Sequence, residues 1–173
     1  RRILIVPGGG VAADTVRQLD VCGLLKADQS HWMAIEAMSF NAGLLRRTLV
    51  GLSAADGLEL TPWRWPEGVP LVLDPAGWLL GSGCAAAAQI PASWDATSDS
   101  IAAIVAAAIG VESLILGKSC EPCSMSMADL AAGGQVDACF PGFAGRLRAG
   151  WCNFRAPVPK VVCLQVETGQ GDQ

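Results

Sequence analysis

Histidine is nearly missing from this chain: His31 is the only one in 173 residues. A lone histidine excludes a multi-histidine metal centre, and no metal site is expected. Charge is also scarce, with Asp, Glu, Lys and Arg making up 16% of the sequence. No basic excess exists, because 12 Lys and Arg face 16 Asp and Glu for a net charge of −4. That balance lacks the electrostatic footprint of a nucleic-acid binder. A membrane-spanning run is missing too. The most apolar stretch, 101–116, is broken by Gly110 and Glu112, whereas a span needs about 20 apolar residues. It reads as a buried helix followed by a buried strand. The basic opening Arg1-Arg2 precedes an apolar run of only Ile3–Val6, too short for a signal peptide or a twin-arginine signal. The expectation is a cytoplasmic protein. Its seven cysteines, at 22, 84, 120, 123, 139, 152 and 163, are then free thiols. No internal repeat is visible.

What is present is core material. Hydrophobic residues form 51% of the chain and mean hydropathy is +0.39, which excludes global disorder. The length fits one domain over 1–166 with a tail over 167–173. A chain this poor in charge either buries much of its surface in one core or buries more of it against a partner subunit, and a homo- or hetero-oligomer is expected. The 20 Gly and 10 Pro are aperiodic, as in a turn-rich α/β domain.

Short apolar runs without alternation predict buried parallel strands at 3–6, 69–73 and 113–117, with later strands at 151–154 and 161–166. Helices are expected over about 11–19, over 31–50 with Ser30 as N-cap, and over 101–109 with Thr97 or Ser98 as N-cap. A short helix fits 142–148. Alternating helices and strands predict one doubly wound, mostly parallel sheet with helices on both faces.

Several segments carry chemistry. Gly8-Gly9-Gly10 lies between a strand and a helix, where bare backbone and a helix N-terminus can face an anion. It matches neither a Walker A loop nor a GxGxxG fingerprint, so the triplet alone reads first as a tight strand-to-helix turn. Thr97-Ser98-Asp99-Ser100 sets three hydroxyls and a carboxylate at a helix start, as a polar site or as a redundant cap. His31 fits a general base or a structural histidine. Cys120-Glu121-Pro122-Cys123 is a single C-x-x-C without the second pair of a zinc ribbon; free thiols on a loop are the default reading beside metal or redox roles. Trp63 and Trp65 flank Arg64, marking a subunit contact if exposed and a lid on the core if buried.

In order along the chain stand Val6-Pro7-Gly8-Gly9-Gly10, then Ala13-Asp14-x-x-Arg17-x-x-Asp20, then Ser30-His31-Trp32-x-Ala34-Ile35-x-Ala37-Met38. Trp94-Asp95-x-Thr97-Ser98-Asp99-Ser100 and Val136-Asp137-x-Cys139-Phe140-Pro141 complete the set. This pattern resembles the amino acid kinase superfamily, which includes aspartokinase and uridylate kinase. It is most similar to the small archaeal-type kinases that phosphorylate an aminomethylfuran alcohol in methanofuran biosynthesis and to their relatives in methylotrophs. The resemblance spans roughly residues 3 to 155. It implies a three-layer αβα sandwich on a mostly parallel sheet, and phosphoryl transfer from ATP with Mg2+ to a small molecule in one-carbon cofactor biosynthesis. It places Gly8, Gly9 and Gly10 at the acceptor or the transferring phosphate. Arg17 falls near the acceptor pocket, with His31, Thr97 and Ser98 as further phosphate- or substrate-binding positions. Asp99 matches the catalytic aspartate that orients lysines, and Lys118 is the nucleotide-side candidate. Two family features differ. The Lys-x-Gly-Gly-Ser strand is not found in these residues, so the expected fold lacks the usual first strand. Lys118-Ser119-Cys120-Glu121-Pro122 replaces an Asp-x-Asp-Gly loop. Each lost charged contact to phosphate is worth about 1.5–3 kcal/mol. The alternative expectation is therefore a catalytically degenerate member acting as a binding or structural subunit.

Overall fold

The computed structural model describes residues 2–55, 65 and 67–166. The chain starts with a short strand, β1 (Leu4–Ile5), which Pro7 ends because proline offers no N–H to a ladder. Two helices follow, α1 (Gly10–Val21) and α2 (Ala27–Thr48). They pack against each other and return the chain to β2 (Ser53–Ala55) and β3 (Leu71–Leu73). The small helices α3 (Pro75–Leu80) and α4 (Cys84–Ala87) precede the apolar helix α5 (Ser98–Ala108). Strand β4 (Ser113–Lys118), helices α6 (Met127–Ala132) and α7 (Phe140–Ala144), and strands β5 (Arg148–Asn153) and β6 (Val161–Cys163) follow.

The α/β class agrees with the sequence reading, but the single sheet does not. Among the described residues two three-stranded sheets form, in the orders β1-β3-β2 and β4-β5-β6. The first is wholly parallel, with β3 central and buried throughout. In the second, β4 runs parallel to β5 and β6 antiparallel to it. Helix α5 stands between the two cores. Ile101, Ile104 and Val105 join the core over the first sheet, and Ala103 and Ala106 join the core over the second.

Boundaries moved for identifiable reasons. Helix α2 starts four residues before His31, at Ala27. Lys26 N donates to Gln29 Oε1 at 2.9 Å, closing the first turn. Ser30 is therefore not a cap. It lies buried inside the first turn, its hydroxyl donating back to the Lys26 and Ala27 carbonyls. The helix expected at 142–148 forms earlier, at Phe140–Ala144, and residue 148 already belongs to β5. Trp65 is buried in the first core and its carbonyl accepts from Arg2 Nε, so its reading as a lid holds. Trp63, Arg64 and the 167–173 tail lie outside the described residues.

Candidate functional site

A cavity of about 320 Å³ opens beyond the carboxyl end of β1, where the chain turns from strand into α1. Gly9, Gly10, Arg17, His31, Thr97 and Ser98 all line it. The glycine loop, the start of α2 and the start of α5 thus meet at one place, the position open α/β sheets reserve for ligands.

The glycines are needed first by the fold. A Cβ on Gly9 would stand 2.4 Å from the Ala13 Cβ, and Gly10 has φ +50°, a conformation glycine adopts without strain. The Gly8 carbonyl accepts from Asn41 Nδ2 of α2 at 2.7 Å. Gly8 does not line the cavity but abuts it, since a Cβ there would reach Ser98 Oγ at 3.4 Å. The tight-turn reading therefore holds for this loop, and Gly9 and Gly10 of the same loop line the cavity. The α1 N-terminus has no side-chain cap, so its first N–H groups favour an anion.

Cross-links among distant residues fix the walls. Trp94 Nε1 donates to Asp20 Oδ2 at 2.7 Å, and the Arg17 guanidinium lies over the Trp94 ring at 4.3 Å. His31 is half-buried, and burial pushes its imidazole below the ordinary value of 6.5. Its ring meets Trp32 edge-on.

The start of α5 is not capped by its own hydroxyls. Thr97 occupies the N-cap position, yet its side chain accepts no helix N–H. Asp137, forty residues on, does the capping instead. Its Oδ2 accepts from Thr97 N at 2.9 Å, Thr97 Oγ1 at 3.0 Å and Ser100 N at 2.9 Å. Its Oδ1 accepts from the Ser100 hydroxyl. Thr97 and Ser100 act as donors, which corrects the redundant-cap reading.

Asp99 and Lys118 do not line the cavity. Lys118 Nζ, at the carboxyl end of β4, donates to Asp99 Oδ2 at 2.7 Å and to the Gln135 carbonyl at 2.9 Å. It also lies 5.5 Å from the centre of the Trp151 ring. The side chains are only 12% and 22% exposed, for Asp99 and Lys118 respectively, so desolvation dominates. Burial pushes the Asp99 carboxyl above its ordinary 3.8, and Lys118 only partly offsets it.

The residues fit a phosphate better than a ready-made metal centre. Among the described residues no three His, Cys, Asp or Glu side chains cluster to hold an ion. Magnesium commonly arrives with phosphates and uses one or two carboxylates; Asp14, exposed on the cavity wall, is placed for such a role. Sequence reasoning assigned no role to Asp137, Gln135 or Asn41, because each acts through tertiary contact. No protein-family model and no curated protein sequence matches the chain.

Proposed function

We propose that the cavity is the acceptor pocket of a small-molecule phosphotransferase of the amino acid kinase type, built on a variant of the three-layer αβα sandwich. The observation that carries this reading is the meeting of Gly9-Gly10, Arg17, His31 and Thr97-Ser98 around one cavity beside two helix N-termini. Catalysis of this class is mainly positioning and charge neutralisation. Backbone N–H groups at the start of α1 and the Arg17 guanidinium would hold the phosphate. His31, Thr97 and Ser98 would orient the acceptor. Asp99 and Lys118 would form the nucleotide side, with ATP supplying the phosphoryl group and Mg2+ neutralising its charge. A methanofuran-like cofactor precursor, a cytoplasmic location and an oligomeric assembly belong to the same proposal.

The test uses His31 as an internal probe, because one histidine gives one set of imidazole NMR signals. Inorganic phosphate or MgATP in the cavity favours the imidazolium and should raise its pKa. Arg17→Ala should abolish that rise. Unmoved His31 signals at saturating MgATP and phosphate would overturn the reading.

A second reading, a non-catalytic binding or structural subunit, is favoured by the commitment of Asp99 to Lys118. Exposed apolar side chains such as Val11, Val21 and Phe40 also favour it. Nucleotide binding without turnover would support it. Turnover of about 1 per second or faster by this chain alone would exclude it.

A further inference from the structure

We propose that Cys120 and Cys123 are a reversible redox modification site, a dithiol that closes to a disulfide and thereby loosens the hold on the Lys118 ammonium. Both are exposed free thiols. They sit three positions apart on the loop that leaves β4, and Cys120 is two residues beyond Lys118.

One amide bridges the two cysteines. Gln135 Nε2 donates to Cys120 Sγ at 3.5 Å and to the Glu121 carbonyl at 2.9 Å, while Gln135 Oε1 accepts from Cys123 N at 2.6 Å. The Cys123 thiol rests against Gly133, where an added Cβ would come within 3.3 Å of Sγ. Pro122 stiffens the loop between them. A disulfide needs its Cα atoms about 4.4–6.8 Å apart and its sulfurs about 2.05 Å apart. Closing that bond draws Cys120 Sγ away from Gln135 Nε2 and shifts the loop that this amide braces.

Two lines then run from the thiol loop to Lys118. The carbonyl of the same Gln135 accepts from Lys118 Nζ at 2.9 Å. The Cys120 carbonyl accepts from Trp151 Nε1 at 2.9 Å, and the Trp151 ring faces Lys118 Nζ. Rearranging the loop therefore disturbs two of the three contacts that hold the ammonium, leaving Asp99. The other cysteines lack this wiring. Cys152 is buried, Cys139 is half-buried, and none of Cys22, Cys84, Cys139 and Cys163 has a neighbouring cysteine in sequence.

The oxidant is a small-molecule disulfide. One cysteine thiolate attacks it and releases one small thiol, leaving a mixed disulfide. The second cysteine thiolate attacks the protein sulfur of that bond and releases the second small thiol. The two protein thiols lose two electrons and two protons in total, which the small disulfide gains.

The test equilibrates the full chain with oxidised and reduced glutathione, then combines peptide mass mapping with trace acetylation of lysines. Lys26 and Lys160 are the only other lysines and serve as internal references. Oxidation should link Cys120 to Cys123 and raise Lys118 acetylation about tenfold, the factor set by losing one hydrogen bond to a charged group. Lys26 and Lys160 should not change. The Cys120→Ser/Cys123→Ser double variant should show no response, and low Lys118 acetylation before oxidation, as in the wild type, confirms its fold. Glutathionylation without an internal disulfide would overturn the proposal. So would a disulfide that leaves Lys118 unchanged, or an equal Lys118 response in the double variant. No nucleotide enters this experiment, so its outcome is independent of the phosphotransferase reading.

Discussion

Asp99 and His31 are both partly desolvated, and their charges respond to pH in opposite ways. Burial raises the Asp99 carboxyl above 3.8, so the folded chain holds that proton more tightly than the unfolded chain. The ionised form costs stability, and the cost appears as pH rises from the ordinary carboxylate value through the higher folded one. Wild type should therefore lose stability relative to Asp99→Asn over that rise and hold a constant difference above it. Urea unfolding of both proteins from about pH 4 to pH 7 measures the difference; a relative gain with rising pH would contradict the assignment. For His31 the folded value lies below 6.5, so the unfolded chain takes up the proton first. Stability should fall as pH drops below 6.5, and His31→Gln should remove that part of the slope. Because no other histidine exists, the change in slope between about pH 5 and 7 belongs to this side chain.

At the level of elements, α5 is held by a residue remote in sequence. Asp137 accepts from two backbone N–H groups and two hydroxyls at its first turn. Asp137→Ala should cost about 2–4 kcal/mol, a lost cap together with charged hydrogen bonds, measured as a shift in urea midpoint. A change under about 0.5 kcal/mol would show that Thr97 and Ser100 cap α5 by themselves. This long-range cap also marks the limit of what the sequence discloses. The apolar runs expected at 69–73 and 113–117, which form strands at Leu71–Leu73 and Ser113–Lys118, and helices α1, α2 and α5 were legible because continuous or periodic apolar patterns and glycine or proline stops coincide there. The polar segments at 8–10, 31 and 97–100 were legible as candidate site positions, but not which of their side chains face the cavity: Gly8 and Asp99 do not line it. Strand β2 and helices α3, α4 and α6 were not; each has three to six residues, too few for a period to show. The division into two sheets was equally hidden, since strand pairing is decided by contacts between segments rather than within them.

At the level of the whole molecule, neither three-stranded sheet buries both faces by itself, and α5 supplies apolar side chains to both cores. Val111 and Phe143 also pack against both. Small sheets of this size depend on such shared packing for independent stability. The chain should therefore unfold as one unit, although its strands form two sheets. Ile104 is 4% exposed and belongs to the first core. Truncation to alanine there should cost about 2–5 kcal/mol through lost burial and the cavity left behind. If the cores are coupled through α5, that loss lowers the protection of amides in β5, in the second sheet, as much as in β3, in the first. Native-state hydrogen exchange on Ile104→Ala reads both strands in one experiment. Lost protection confined to β3, with β5 unchanged, would mean that the two sheets open separately, and the cavity at the α5 N-terminus would then belong to the first alone.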